Sequence, residues 1–301
     1  MASPRHIKNR IKSTKNIRQI TKAMEAVSSI KMKRSESAAS AVKGYALATL
    51  KILKDVRRTM EKDADNKDNY LFREGRGERT TLVIITSDKG LAGAFNTNVI
   101  RQATHYIAKS KKPVDLITIG KRGRDFFKRQ GMSITDSFLN MGDVLRPEQA
   151  LSVGDKIFDL FTEGRYDKVV LIYTHFVTAL RQKVISRILL PVTTSALEEV
   201  LKEIAPNTQI KEDDTEYLFE PSTERVLTSL VPSLIKAQIF HSILEANASE
   251  HSSRVIAMKS AYDNASELID NLNIVYNKAR QDKITAELIE ITAGAEALMN
   301  D

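Results

Sequence analysis

The feature that most restricts the fold of this chain is a stretch of 61 residues, 233–293, that contains neither glycine nor proline. Within it, one set of residues recurs at alternating spacings of four and three. The members are Leu244, Ala248, His251, Val255, Met258, Tyr262, Ala265, Ile269, Leu272, Tyr276 and Ala279. A sustained 3.5-residue period keeps one seam facing a partner helix and indicates a left-handed coiled coil.

The partner helix is expected at the amino end of the chain. Pro4 suits a first helical position after Ser3 as N-cap, and the first glycine is Gly44, which costs up to ~1 kcal/mol relative to alanine. Apolar residues recur there at helical spacing: Ile7, Ile11, Ile17, Ile20, Met24, Val27 and Ile30. We expect one helix of roughly 85 Å, antiparallel to the carboxyl-terminal helix. The alternative is that each helix packs on a globular domain as an ordinary surface helix.

The middle of the chain alternates between strand and helix patterns. Apolar β-branched runs predict strands after residue 79, at 112–120 and at 166–176, and 181–192 fits a further strand. Helical patterns lie at Thr97–Lys109, Lys121–Gln130 and Pro147–Gly164. This order is typical of βαβ units with a mainly parallel sheet. We therefore predict an α/β fold in which a Rossmann-like βαβ domain is inserted into a long antiparallel coiled coil. The predicted divisions are 1–60, 79–200 and 222–301.

Charge is distributed unevenly along the chain. The net charge is +8, but residues 1–60 hold fifteen lysines and arginines against three acidic residues. Such a basic segment favours an acidic partner, which could be nucleic acid, anionic lipid or an acidic protein surface. No apolar run approaches the ~20 residues that span a bilayer, and no apolar segment follows the basic start as in a signal peptide. The absence of cysteine excludes disulfides and thiolate metal sites.

The segment TSDKGLAGAFNTN (86–98) is the best candidate for a site with chemistry, because it follows a predicted strand and precedes a predicted helix. It matches neither GxxxxGK[ST] nor GxGxxG. We interpret it as structural, with Gly90 and Gly93 supplying a tight turn and Asn96 or Thr97 capping the helix. A bound phosphate or nucleotide is the alternative. The five histidines show no metal-ligand spacing, so we predict no catalytic residue, no metal and no cofactor.

Five blocks of sequence carry a resemblance to a known family. They are IKNRIKSTKNIRQITKAMEAVSSIKMKR, SDKGLAGAFN, EYLFEP, SEHSSRVIAMKSAYDNASELI and YNKARQDKITAELIEITAGAEAL. They lie along nearly the whole chain and resemble the γ subunit of F-type ATP synthases. The resemblance implies a non-catalytic central rotor shaft. Its paired helices would stand inside the hexamer of α and β subunits, and its globular domain would touch the ε subunit and the c-subunit ring.

In that family, proton or sodium flow turns the c ring, and the shaft drives conformational cycling of the catalytic β subunits in ATP synthesis or hydrolysis. The resemblance therefore implies a protein that meets the membrane only through the complex and does not bind nucleic acid. Because we see no transit peptide, we expect a peripheral position on the cytoplasmic face of a bacterial plasma membrane. The matrix face of a mitochondrion is the alternative location.

The resemblance also implies particular contact residues. Contacts with the β subunits fall on Lys22, Met24, Arg254, Arg280, Gln281, Thr285 and Glu287. A smooth apolar bearing tip falls on Ile284, Leu288, Ile291, Ala295 and Leu298. Contacts with the ε subunit and the c ring fall on Tyr217, Phe219 and Glu220. An apolar tip forms no fixed ion pairs, so little must break on each turn, whereas a charge-assisted contact is strong but depends on the state of the partner.

Two other functions fit parts of the sequence. A nucleic-acid-organising coiled-coil protein would explain the basic helix and would bind DNA in a salt-dependent way. Aromatic residues are nearly absent from that helix, and the far end of the seam is apolar, which argues against it. A nucleotide-binding α/β enzyme is the other candidate, and it would need a phosphate loop that the sequence does not contain.

Overall fold

The computed structural model describes residues 3–62, 77–141, 145–193 and 223–299. Helix α1 (Pro4–Lys62) opens the chain, and helix α5 (Thr223–Met299) closes it. An α/β domain lies between them in the sequence, so the predicted fold class is confirmed. The chain forms two compact units. One comprises Met1–Ser28 with Arg254–Asp301, and the other is Ser29–Ser253.

A five-stranded sheet forms the centre of the unit Ser29–Ser253. Its strands are β1 (Arg79–Ile85), β2 (Val114–Ile119), β3 (Ile134–Phe138), β4 (Tyr166–Thr178) and β5 (Arg181–Leu190). They lie in the order β3-β2-β1-β4-β5. The first four strands are parallel to their neighbours, and β5 pairs antiparallel with β4. The predicted strands are confirmed, and β5 forms the additional strand suggested at 181–192.

Three shorter helices connect the strands: α2 (Phe95–Lys109), α3 (Lys121–Arg129) and α4 (Pro147–Thr162). Helices α2 and α3 lie on one face of the sheet, and α4 lies on the other. On one face α2 and α3 supply Val99, Ala103 and Phe127 to a core with Leu82 and Ile84 of β1. Because helices cover both faces, a parallel sheet can bury nearly continuous apolar strands. The residues of β2 are accordingly all buried.

The first part of α5 packs with α4 on the other face of the sheet. This second core combines Val83 and Ile85 of β1 with Val153 and Ile157 of α4 and several α5 residues. The α5 members are Val231, Leu234, Ile235, Ile239, Ile243 and Ala246. Their spacing of three and four residues places them along one stripe of the helix. The long helix is therefore built into the α/β core from its first turns.

Candidate functional site

The predicted seam holds α1 and α5 together in the unit formed by Met1–Ser28 and Arg254–Asp301. An apolar cluster at one end of the pair comprises Ile7, Ile11, Leu272, Tyr276 and Ala279. Farther along, the Lys22 ammonium lies 5.2 Å from the centre of the Tyr262 ring. Later residues of α1 thus meet earlier residues of α5, which makes the pair antiparallel as predicted.

Small hydroxyl residues continue the α1 side of this seam. Thr14, Thr21 and Ser28 are buried at heptad spacing. The Thr14 hydroxyl donates a 2.9 Å hydrogen bond to the Arg10 carbonyl oxygen, and the Thr21 hydroxyl donates a 2.9 Å bond to that of Arg18. Because their own helix satisfies these hydroxyls, they can be buried without an unpaired polar group. Small seam residues on α1 therefore match the alanines on α5.

The interpretation of the α1 apolar residues as a single stripe is wrong beyond Ile11, because the later members are not buried with Ile7 and Ile11. The side chains of Ile17 and Ile20 are 54% and 58% exposed, and Val27 and Ile30 are exposed as well. Since the seam uses Thr14, Thr21 and Ser28, these isoleucines and this valine form a second face that the chain itself leaves uncovered. The sequence pattern combined two faces into one stripe. Four exposed aliphatic side chains on one side of a helix favour contact with another protein.

Helix α5 continues past its last seam residue, Ala279, to Met299. These further 20 residues correspond to about 30 Å of helix at 1.5 Å per residue. Every side chain from Arg280 to Ala293 is exposed. We call 280–299 the α5 extension. An isolated helix is marginally stable in water, so this extension is suited to a site where another surface surrounds it.

The predicted apolar tip lies on the α5 extension. The side chains of Ile284, Leu288 and Ile291 are 47%, 57% and 68% exposed. Ala295 is also exposed, whereas the side chain of Leu298 lies outside the described ones. The spacing of these positions, four then three, places them along one stripe of the helix. The extension thus presents an aliphatic stripe to its surroundings.

The predicted polar contacts of the extension are also exposed. Arg280, Gln281, Thr285 and Glu287 all lie on its first two turns. Glu287 forms a 3.2 Å ion pair with Lys283, and both side chains are more than half exposed. Such an exposed pair contributes little to stability. These groups can therefore exchange their present partners for groups on another protein at small cost.

The remaining predicted β-subunit contacts differ in their accessibility. Lys22 is exposed and pairs with Glu25 at 3.1 Å, while Met24 is half-buried. Arg254 is only 6% exposed, so it offers another protein very little surface in this conformation. The predicted contacts Tyr217, Phe219 and Glu220 lie outside the described residues.

A polar contact between α5 and β4 was not foreseen from the sequence. The Tyr173 hydroxyl donates a 3.0 Å hydrogen bond to Glu245 Oε2. The His175 Nδ1 atom lies 2.9 Å from Glu245 Oε1, and the His241 Nδ1 atom lies 3.7 Å from Oε2. Burial tends to raise the pKa of Glu245, but the adjacent His175 imidazole, the positive charge that His241 and His175 carry when protonated and the hydrogen bond from Tyr173 together hold it below its usual value.

The same contact extends along α5. The Ser249 hydroxyl donates to the Thr174 carbonyl oxygen at 3.2 Å, and the Asn247 amide donates to that of Met141 at 3.0 Å. We call the set Tyr173, His175, His241, Glu245, Asn247 and Ser249 the polar contact. The available signal was the run NASEHSSR (247–254), a polar block inside an otherwise continuous heptad ladder.

The loop 86–98 uses its polar groups internally. The Ser87 backbone N–H donates to Asn96 Oδ1 at 2.9 Å, and the Lys121 backbone N–H donates to Asp88 Oδ1 at 3.0 Å. Gly93 has a positive φ of 54°, which confirms its predicted place in a tight turn. The predicted cap is wrong, because the N-cap of α2 is Ala94 and no side chain caps it. Asn96 instead reaches back to Ser87.

In the part of the chain that the structure describes, no group of three or more histidine, aspartate or glutamate side chains is arranged to hold a metal ion. His251, on the seam, is buried. Over the same described ranges, no helix combines the length and apolarity that crossing a bilayer requires.

Comparison with known sequences agrees with the residue pattern. The family model described as ATP synthase matches residues 3–298. The ATP synthase gamma chain of Halothermothrix orenii is 40% identical over 302 residues, covering 99% of this chain and 100% of the relative. The ATP synthase gamma chain of Desulforamulus reducens is 37% identical over 298 residues, with coverage of 99% and 100%.

Solved structures also resemble this chain. A central stalk and c-ring structure of the Tetrahymena thermophila mitochondrial ATP synthase matches with a TM-score of 0.60 and 25% identity, covering 80% of this chain and 99% of that one. A Euglena gracilis mitochondrial ATP synthase structure, of OSCP, F1 and c-ring, matches with a TM-score of 0.65 and 20% identity, covering 98% and 94%. The second likeness is evidence for the fold.

Proposed function

Because this chain belongs to the ATP synthase gamma chain family, it is the central rotor shaft of an F-type ATP synthase, and we propose that its α5 extension turns inside the hexamer of α and β subunits. Rotation of the c ring turns the shaft, and the shaft drives the β subunits through their conformational cycle. The nucleic-acid-organising alternative finds no support among the relatives. The two ATP synthase gamma chains and the central stalk structure from Tetrahymena thermophila, to which this chain is similar, support the rotor function.

The observation that carries the proposal is the exposure of the α5 extension. Its aliphatic stripe is uncovered in the chain itself, although burying such side chains is worth about 1.5–3 kcal/mol each. A surrounding sleeve of other subunits would recover that energy. Because aliphatic contacts are not directional, they resist rotation less than fixed hydrogen bonds would. We therefore assign the bearing tip to Ile284, Leu288, Ile291, Ala295 and Leu298.

We assign a different role to the polar residues below the tip. Arg280, Gln281, Thr285 and Glu287 would form contacts with the β subunits that strengthen in some rotary positions and weaken in others. Coupling between a shaft and three catalytic sites requires such state-dependent contacts, since equal affinity for all states shifts none of them. The exposed Arg280 guanidinium is suited to this role because it can bind a carboxylate or carbonyl with directional bonds.

The lower contacts of the shaft are also proposals. Lys22 and Met24 lie on or beside the uncovered α1 face and would meet the β subunits there. Arg254 would contribute at most a small part of its surface, because it is buried within this chain. The exposed lysines and arginines of α1 would attract acidic surfaces without forming fixed pairs. We propose that Tyr217, Phe219 and Glu220 contact the ε subunit and the c ring.

Torque must pass from the globular unit into α5, and the polar contact is suited to transmit it. Hydrogen bonds at 3.0 Å from Tyr173 and Asn247 are directional, so they resist rotation of the helix about its own axis more than apolar packing alone. We propose that this chain performs no bond chemistry and that catalysis resides in the β subunits. We further propose a peripheral position on the cytoplasmic face of a bacterial plasma membrane, reached through the other subunits.

Truncation after Gln281 tests the assignment of the tip. The shortened chain keeps the seam cluster but loses the aliphatic stripe, so it should still assemble with α and β subunits. We expect the torque of single complexes to fall. A chain in which Thr285 and Glu287 alone are changed to alanine keeps the stripe and serves as the control for lost polar contacts. Full torque from the truncated chain would remove the extension from the mechanism.

A further inference from the structure

A cavity of ≈ 560 Å³ opens at the amino-terminal edge of the parallel sheet, and all of its lining residues belong to the unit Ser29–Ser253. Three separate elements contribute its walls: the last turns of α2 with the loop that follows, the start of β1 and the start of β4. The lining residues are Thr80, Gln102, His105, Tyr106, Lys109, Ser110, Lys111, Lys112, Asp167 and Lys168. A volume of this size lies within the range of small-molecule sites.

The charge of the cavity is strongly positive. Lys109, Lys111 and Lys168 line it and form no ion pair within the described residues. Lys112 is held differently, since its ammonium lies 2.9 Å from Asp167 Oδ2 and donates to the Gly77 carbonyl oxygen at 3.0 Å. That pair fixes one wall, so the three other ammonium groups make the cavity cationic. Clefts lined by one sign of charge concentrate ions of the opposite sign.

Helix stabilisation explains only part of this arrangement. Lys109 lies in the last turn of α2, where a cation is favourable beside the free carbonyl groups. Lys111 lies beyond that helix, and Lys168 belongs to β4, so the three lysines come from three different segments of the chain. The convergence indicates a ligand that several ammonium groups bind together.

Uncharged groups complete the wall of the cavity. The Thr80 hydroxyl is buried, with the residue 1% exposed, and has no hydrogen-bond partner among the described residues. Tyr106 contributes the only aromatic carbocycle among the lining residues. Lysine ammonium groups bind phosphate oxygens as point charges, and the volume of the cavity suits a compact anion.

We propose that this cavity binds a phosphoanhydride anion, either as free pyrophosphate or as the phosphates of a nucleoside diphosphate or triphosphate. Lys111, from the loop after α2, and Lys168, from β4, would bind its oxygens, and Lys109 would add to the field. Binding would tie the loop after α2 to the start of β4. This site is independent of the rotor function, since it uses none of the shaft residues.

The test is titration calorimetry of the full chain with pyrophosphate at low salt. Saturable binding is expected, and the double variant Lys111→Ala/Lys168→Ala should weaken it about tenfold, because Lys111 is exposed and Lys168 is half-buried, and charge contacts open to solvent are weak. The matched control is Lys128→Ala/Lys183→Ala, which removes the same charge from exposed positions outside the cavity. Equal losses in both double variants, or no saturable binding to the unmodified chain, would overturn the proposal.

Hydrogen exchange provides a second readout that does not depend on a variant's folding. Pyrophosphate should slow exchange in peptides covering 105–112 and leave peptides covering 124–131 unchanged. Sulfate at equal ionic strength is the charge control, and equal protection by sulfate would show that the cavity does not recognise the anhydride. An ATP titration separates the two ligand sources. Tighter binding of ATP that Tyr106→Leu abolishes would identify a nucleotide, and equal binding would identify the anhydride alone.

Discussion

Replacing Glu245 by glutamine should loosen α5 on the sheet, because this carboxylate is the centre of the polar contact. Glu245 is 7% exposed. It accepts a 3.0 Å hydrogen bond from the Tyr173 hydroxyl and lies 2.9 Å from the His175 Nδ1 atom. The glutamine amide keeps one acceptor oxygen but presents an NH2 group to the other partner. Both contacts therefore lose their charged acceptor, and a protonated His175 would face an amide NH2 group that cannot accept its proton.

The size of the effect follows from these contacts. Hydrogen bonds to charged groups contribute about 1.5–3 kcal/mol each, so Glu245→Gln should lower the free energy of unfolding of the globular unit by about 2–4 kcal/mol. Tyr173→Phe removes one of these bonds to the carboxylate and should lower the free energy of unfolding by about 1.5–3 kcal/mol. If the two residues act through their shared bond, the double variant should lose less than the sum of the single variants.

The contribution of Glu245 also depends on pH in a defined direction. Its pKa is lowered in the folded state, so the folded protein holds the proton less tightly than the unfolded chain does. The stabilisation is therefore fully present above the pKa of the unfolded state and is lost as the pH falls through the folded value. Glu245→Gln should remove this acid-dependent part of the stability curve.

Hydrogen exchange resolved by peptide is the suitable assay, because it reports on the globular unit separately from the coiled coil. We expect faster exchange in peptides covering β4 and residues 241–252 of the Glu245→Gln chain. The control is Glu287→Gln, on the same helix but in an exposed ion pair with Lys283, which should cost less than about 1 kcal/mol. Equal effects of Glu245→Gln and Glu287→Gln would refute the polar contact as the attachment of α5 to the sheet.

Three further predictions concern the seam, the sheet edge and one glycine. Leu272→Ala should destabilise the helix pair by about 2–3 kcal/mol, whereas Ile274→Ala, on the exposed side of α5, should change it by less than about 0.5 kcal/mol; urea unfolding followed by circular dichroism compares them. Asp115→Asn should lower the free energy of unfolding by about 3 kcal/mol at neutral pH. Arg79 Nη2 donates a 2.6 Å hydrogen bond to Asp115 Oδ1. This bond outweighs the effect of burial and lowers the pKa of Asp115. That stabilisation disappears as the pH falls through the folded pKa, and acid titration of both chains measures it. Gly120→Ala should prevent stable folding, because its φ is 92° and a Cβ would lie 2.0 Å from the Thr86 carbonyl oxygen; thermal unfolding tests this.

The α5 seam could be predicted from the sequence, but its partner face on α1 could not. Along α5 the ladder alternates four and three without a break, and Met258, Ala265 and Ile269 are buried as expected. On α1 the seam depends on threonine and serine, which hydropathy assigns to the surface. The hydroxyls of Thr14 and Thr21 are satisfied within the helix, and that compensation is visible only in three dimensions.

Two other features escaped sequence reasoning for related reasons. Strand β3 has the sequence ITDSF, and its side chains are mostly half-buried, so it lacks the apolar run of a central strand. The burial of Arg254 and Glu245 could not be predicted, since charged residues are rarely buried unless paired. Conversely, Ile284 and Leu288 keep a spacing of four but lie one residue out of phase with the ladder that ends at Ala279, so the sequence predicts the stripe and also separates it from the seam.

The rotor function is tested most directly by ATP hydrolysis with purified α and β subunits, measured with and without this chain. Size-exclusion chromatography of the same mixtures shows whether the subunits assemble. The chain alone should be inactive, should co-elute with α and β subunits, and should raise their turnover. A chain that neither co-elutes with them nor changes their turnover would contradict its role as the central shaft.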